Sequence, residues 1–434
     1  MSPELQLLIV MLLFVGLLAA GMSVPFAIAL PGTAYILIQG GLPAMKGLGF
    51  VSWGSMNSFT LTAIPMFIFM AEIMQRSDLS SRIYRGLSAL VSRIPGGLLQ
   101  TNVAGCAAFA AISGSSVACA ASIGSVALPQ LLERGYSRTL SAGSICAGGT
   151  LGILIPPSLA MIIYGTFTDT SVAKLFMAGV VPGLMLTAMF MLYIAVQALA
   201  KPGVAPRETD RLTLPRLLMA IADVFPFFIL VGAVLGTMYA GLVTPTEAAA
   251  IGSVFAMAIA GIWGRMSVRI FLDAVKATVQ LVGNLLFIIY AAYVFSYGIS
   301  LGGVGEALTS YMVGLNLDRV SFFLALFLLY TVLGCLVESV GMIVITVPLL
   351  YPVLLKYGID PVWFGIVLVM FIELGAISPP IGINLFVVQS IWTGTMKEVV
   401  LGTIPFHLIM FLMLLFLAIW PQLALWLPQH MAGP

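Results

Sequence analysis

Apolar runs follow one another along the chain with short polar breaks between them, at 5–20, 22–40, 57–75, 137–165, 171–200, 217–240, 246–264, 277–300, 362–390 and 399–428. Most exceed the ~18 apolar residues that let a helix cross a bilayer. A helix satisfies its own backbone in lipid, where nothing else can. The pattern predicts an all-α polytopic membrane protein. Two further regions, 94–134 and 319–356, are too long for one span. Each is centred on a polar or glycine-rich stretch, "SGSS" at 113–116 and "GCLVES" at 334–339. Two spans are interrupted by paired prolines, in "GTLGILIPPS" at 149–158 and "ELGAISPPIG" at 373–382.

Charge threads these segments. Arg76, Arg82, Arg85 and Arg93 precede the first long region, and Arg134 and Arg138 follow it. Cytoplasmic loops gather Lys and Arg, so both ends belong inside and the region is predicted to be a re-entrant hairpin. The same threading places Lys201, Arg207, Arg211, Arg216, Arg265, Arg269, Lys276 and Lys397 inside, which makes 14 of the 18 basic residues. Lys46, Lys174, Arg319 and Lys356 remain outside. The second long region then enters and leaves from outside. Two ordinary spanning helices would also return the chain to its starting side; the polar tips favour hairpins. The N-terminal run has no basic stretch before it and apolar sequence resumes at once, so it reads as a first span rather than a signal peptide.

The two halves match at a constant offset of 223. Ser116 meets Ser339, Pro129 meets Pro352, Gly135 meets Gly358, Gly152 meets Gly375, and Pro156-Pro157 meets Pro379-Pro380. The shared residues are mostly the backbone-special ones, and the two copies enter from opposite sides, so this is an inverted-topology repeat. Proline removes an amide donor and leaves carbonyls of the preceding turn without partners. Such backbone survives at mid-membrane only when buried or lining a cavity. Freed carbonyls suit a hard cation such as Na⁺, and half-helix N-termini suit an anionic substrate. A hairpin arm over 97–112 would rise about 24 Å at ~1.5 Å per residue, past the midplane of a ~30 Å core. Each tip is therefore expected to meet the break of its own copy and form one candidate ion site, with substrate between the two.

Composition narrows the function. The chain is 61% hydrophobic and 8% charged, against about 25% charged in soluble domains. It has no Walker loop and no HExxH, and its two histidines are His407 and His430, so ATP use and zinc proteolysis are excluded. An intramembrane enzyme would need a His or paired-Asp constellation that the sequence lacks; the chain is read as no enzyme, with no cofactor and no nucleic-acid partner. Cys106, Cys119, Cys146 and Cys335 form no CxxC pair and read as small residues at helix contacts. Carboxylates inside a membrane are functional candidates. Glu338 sits in the second tip and Glu373 just before Gly375, where each could touch an ion, a proton or a polar network. Asn384 could donate to a substrate carboxylate. Glu72, Glu247 and Asp223 lie near span ends and read as interfacial.

The stretch "AAISGSSVACAASIGSVALPQLLERGYSRTLSAGSICAGGTLGILIPPS" resembles the large membrane subunit of tripartite ATP-independent periplasmic (TRAP) transporters. So do "MAGVVPGLML" (177–186), "AGLVTPTEAAAIG" (240–252) and "YGIDPVWFGIVLVMFIELGAISPPIGINLFV" (357–387), in the same order and over essentially the whole chain. The resemblance implies an elevator-type carrier in the bacterial inner membrane. It implies Na⁺-coupled import of an organic acid (a C4-dicarboxylate, sugar acid or sialic acid), received from a soluble periplasmic binding protein. Carried over by motif, one Na⁺ site would use Ser113, Gly114, Ser115 and Ser116 with Gly152, Ile155 and Pro157. The second would use Gly334, Glu338 and Ser339 with Gly375, Ser378 and Ile381. Substrate would be reached by Ser116, Thr150, Glu373 and Asn384. The implied division is scaffold helices at 1–93, a first transport repeat at 94–176, connecting scaffold at 177–318, a second transport repeat at 319–395 and a C-terminal helix at 396–434. The large-subunit pattern begins within the first residues, so a separate small four-helix membrane subunit is expected. A stand-alone cation- or proton-coupled carboxylate carrier of similar architecture is the alternative, separated by dependence on a binding protein.

Overall fold

The structure, a computed structural model, describes residues 3–201, 203–206, 213–315, 317–334 and 337–431. Arg207, Arg211, Cys335 and Leu336 lie outside the described residues. All described elements are helices. The first half runs α1 (Pro3–Ala19), α2 (Val24–Met45), α3 (Gly47–Met56), α4 (Ala63–Arg76), α5 (Leu79–Val91), α6 (Leu98–Ser113), α7 (Ser116–Glu133), α8 (Arg138–Leu154), α9 (Leu159–Thr168) and α10 (Val172–Ala200). The second runs α11 (Leu214–Val231), a π turn, α12 (Thr237–Tyr239), α13 (Pro245–Ile262), α14 (Val268–Leu301), α15 (Val304–Gly314), α16 (Arg319–Gly334), α17 (Ser339–Lys356), α18 (Pro361–Ala376), α19 (Ile383–Ile391), α20 (Met396–Ile419) and α21 (Gln422–His430).

The helix bounds repeat at the offset read from the sequence. Adding 223 to α7 gives 339–356, the bounds of α17. The same shift carries α8 to 361–377, against α18, and α9 to 382–391, against α19. It carries α5 to 302–314, against α15. The repeat also relates α2 to α13 and α10 to α20, so it spans far more of the chain than the matched residues do. The halves interlock: α7 packs on α19 and α17 on α9.

Among the described residues, nine helices are long and apolar enough to cross a bilayer. Within the segment Arg138–Thr168 the apolar stretch is 94% buried, against 33% for that of Leu214–Tyr239. The broken helices therefore form the centre, and α1, α2, α11 and α13 lie towards the outside. Hairpin α6–α7 starts beside the start of α8, where the Leu98 amide donates to the Tyr136 hydroxyl at 3.2 Å. It turns where α8 ends, where the Leu159 amide donates to the Gly114 carbonyl at 3.5 Å. The hairpin thus reaches halfway along the α8–α9 segment and returns.

Residues threaded to the cytoplasmic side meet one another. Arg82 and Arg85 pair with Asp223 at 3.1 and 3.0 Å, the Arg265 amide donates to the Ser77 carbonyl, and Arg138 pairs with Glu398 at 3.0 Å. Glu247 closes a capping box with Thr244 at the start of α13, which gives it a structural partner. Cys106, Cys119 and Cys146 are buried between helices.

Three differences from the sequence reading have local causes. The run 399–428 is two helices, not one span. Trp420 leaves the helical region (φ −123°, ψ 78°) ahead of Pro421, because a residue before proline is driven out of the α conformation. Ser267 caps α14 by accepting from the Ile270 amide at 3.2 Å, so that helix starts well before its apolar run. Helices α3, α5 and α15 are too short or too polar to read as spans.

Candidate functional site

Both breaks fall at the paired prolines. Helix α8 stops at Leu154, Ile155 is extended (φ −83°, ψ 121°), and α9 restarts with Ser158 accepting from the Met161 amide at 3.4 Å. Helix α18 stops at Ala376 and α19 restarts at Ile383. Both Pro–Pro peptides are cis. The last carbonyls of α8 and α18 have no partner within their helices.

The first tip rests on the first break. Gly114 ends α6 in the left-handed region (φ 59°), which needs glycine, and Ser115 caps α7. A Cβ on Gly114 would lie 2.7 Å from the Pro157 carbonyl oxygen, and one on Gly152 would lie 2.6 Å from that of Ser115. Ser113, Gly114, Ser115 and Ser116 are thus brought against Gly152 and Pro157. Ile155 packs its side chain towards Gly183 of α10.

The second pair is closed by two glycines. A Cβ on Gly334 would lie 2.6 Å from Gly375 Cα. Ser378 donates to the Leu374 carbonyl at 2.6 Å and sits 2.9 Å from His407 Nε2 on α20. Ile381 is exposed. Of the residues read into this pair, the structure joins Gly334 to Gly375, turns Ser378 towards α20 and leaves Ile381 at the surface. Pro156 and Pro157 of the first break are buried, whereas Pro379 and Pro380 of the second are exposed.

Between the tips lies a cavity of about 350 Å³. One wall is built from 113–118 and 337–340, with Leu159, Ala160, Ile383 and Asn384. The facing wall is α4, with Glu72 and Gln75, and α14, with Asn284. The first residues of α7, α9, α17 and α19 all line it. Asn284 and Gln75 were not singled out in the sequence, although Asn284 interrupts an apolar run. Glu72 also pairs with Arg76 at 2.7 Å.

Glu373 and Thr150 stand at equivalent positions of the repeat, and neither is on the cavity wall. Thr150 donates to the Ala147 carbonyl at 2.6 Å. Glu373 is 1% exposed behind Ser116. The Ser116 hydroxyl donates to Glu373 Oε2 at 3.0 Å, and Asn384 Nδ2 donates to Ser116 Oγ at 2.5 Å. A residue at the first tip is therefore bonded to both helices of the second break. Glu373 Oε1 and Asn384 Oδ1 are buried with no hydrogen-bond partner among the described residues. The arrangement offers carbonyls, hydroxyls and helix N-termini, the groups that bind a hard cation and an anion.

Comparison with known proteins agrees with this architecture. The profile of the family described as "Tripartite ATP-independent periplasmic transporter, DctM component" matches residues 10–423. The chain is 33% identical over 98% of its length to the C4-dicarboxylate TRAP transporter large permease protein DctM of Vibrio cholerae, covering 97% of that protein. It is 31% identical over 96% of its length to the isethionate TRAP transporter permease protein DctMQ of Oleidesulfovibrio alaskensis, covering 65% of it. Its fold is similar to the Alcanivorax borkumensis YdaH transporter, with a TM-score of 0.65, 16% identity and coverage of 92% and 91% of the two chains. The chain belongs to the DctM family, the large permease components of TRAP transporters: it is a multi-pass transport protein of the inner membrane and not an enzyme.

Proposed function

We propose that the chain couples Na⁺ to the import of an organic acid that a periplasmic binding protein delivers, working with a small membrane subunit. The observation that carries this reading is the convergence of four helix N-termini, two from each repeat, on one cavity. Helix N-termini present free amides and partial positive charge, which suit carboxylate or sulfonate groups. C4-dicarboxylate and isethionate, named for the two relatives, carry such groups. Ser116 and Asn384 would touch the substrate from the wall, with Glu373 and Thr150 acting from behind it. Na⁺ would bind where each tip meets its break. The first site would take Ser113, Gly114, Ser115 and Ser116 with carbonyls of Gly152, Ile155 and Pro157. The second would take Gly334, Glu338 and Ser339 with Gly375, Ser378 and Ile381. The cavity lies between the broken-helix core and the arms α4 and α14, which is where a core sliding as an elevator against a scaffold would carry its cargo.

Reconstitution tests this. The permease with its small subunit, placed in proteoliposomes with the binding protein, should accumulate a C4-dicarboxylate or an organic sulfonate when an inward Na⁺ gradient is imposed. An equal K⁺ gradient should give no accumulation. Uptake that is indifferent to Na⁺ would overturn the coupling, and uptake without the binding protein would overturn the delivery step.

A further inference from the structure

We infer that Glu373 is a positioning residue: through Ser116 it fixes which face of the Asn384 amide meets the bound cation. This rests on the Na⁺-coupled reading above. The Ser116 hydroxyl has one proton, and it is committed to Glu373 Oε2 at 3.0 Å. In its ionised form Glu373 can only accept. Ser116 must then accept from its other neighbour, and Asn384 can only meet it with its NH₂ group, at 2.5 Å. The polarity of the chain is set at Glu373 and passes to Asn384, which meets Ser116 with its NH₂ and not with its oxygen.

That oxygen has no protein donor. Asn384 Oδ1 and Glu373 Oε1 are both buried and both without a hydrogen-bond partner among the described residues. Asn384 is 0% exposed and Ser116 4%. A buried acceptor left unpaired is costly, and two acceptors in one connected group are oxygens that a bound cation would satisfy. The group joins the first tip to the second break, beside the cavity wall that Ser116 and Asn384 help to form. Asn384 thus offers its oxygen to a cation, and the second hydrogen of its NH₂ is what remains for a substrate.

The device is one-sided. At the repeat offset, Ser339 stands for Ser116, but Thr150 stands for Glu373 and Met161 for Asn384. Methionine has no N–H, and Thr150 is spent on the Ala147 carbonyl. Among the described residues, the first tip alone is oriented by the opposite repeat in this way.

The test uses the purified permease with its small subunit, following thermal unfolding while Na⁺ replaces K⁺ at constant ionic strength. E373Q keeps the shape but lets an amide donate to Ser116, so the polarity is no longer fixed. The Na⁺ midpoint should rise about tenfold, the size expected for one misdirected charge-assisted contact. S116A, which cuts the chain at its middle, should raise it similarly without touching Glu373. E373Q/N384D should restore the midpoint, because an aspartate presents an oxygen whichever way it turns. An unchanged midpoint in E373Q and S116A overturns the inference. So does a raised midpoint in E373Q that N384D fails to rescue, since Glu373 would then act by packing, or one that stands beside an unchanged S116A, since Glu373 would then act by its charge. Absence of any Na⁺ stabilisation in the unmodified protein would instead refute the Na⁺-coupled reading itself.

Discussion

Valine at Gly152 should abolish uptake while leaving the chain inserted and folded. A Cβ there would lie 2.6 Å from the Ser115 carbonyl oxygen and 2.8 Å from Ser116 Cα. These are backbone atoms of the hairpin tip, and no rotamer change can clear them. The tip must move off the break, and misplacing a binding group by about 1 Å is enough to cost on the order of 100-fold. Gly375 stands in the same relation to the second tip, with a Cβ 2.9 Å from Gly334 Cα and from the Tyr330 carbonyl oxygen. G152V and G375V should each lower Na⁺-driven uptake by about 100-fold or more, with unchanged amounts of protein in the membrane fraction. Normal uptake by both variants would remove the tip–break pairs from the mechanism.

G402V should be worse for the fold than for any one site. Helices α8 and α20 cross with their backbones in contact. A Cβ on Gly402 would lie 2.1 Å from the Thr139 carbonyl oxygen, and one on Gly143 would lie 2.1 Å from the Gly402 carbonyl oxygen. Small residues let membrane helices approach this closely, and van der Waals contact then holds them. Overpacking a core usually costs about 1–3 kcal/mol. Here the cost belongs at or beyond the upper end of that range, because only backbone could yield. The same separation would pull Arg138 of α8 from Glu398 of α20. Thermal unfolding of purified G402V should begin at a clearly lower temperature, and G143V should match it. A variant that melts like the unmodified protein would show that the two helices do not meet as described.

Much of this architecture was legible because a membrane writes simple rules into sequence. The spans followed from apolar length, and the broken helices from paired prolines at one repeat offset. The extent of the repeat was less visible. Helices α5 and α15 correspond in position, but their residues share too little for matching to find them. The end of the last span is hidden because apolarity continues through Trp420 and Pro421, where the backbone bends. At the site, the sequence singled out Ser116, Glu373 and Asn384 separately. That they form one hydrogen-bonded group could not be read, since Ser116 lies 257 residues from Glu373 and joins it only where the two halves interlock. Asn284 is not legible as a wall residue, because a lone polar residue in an apolar run says nothing about which face it takes.

The central claim is that one cavity, shared by the two repeats, serves both sides of the membrane in turn. Val117 lies on its wall in the first turn of α7 and is 39% exposed. The direct measurement is labelling of V117C by a membrane-impermeant maleimide, with the four native cysteines replaced by serine and the small subunit present. The account predicts reaction from the periplasmic side under one set of Na⁺ and substrate gradients and from the cytoplasmic side when the gradients are reversed. Reaction from the same side under every condition would contradict it.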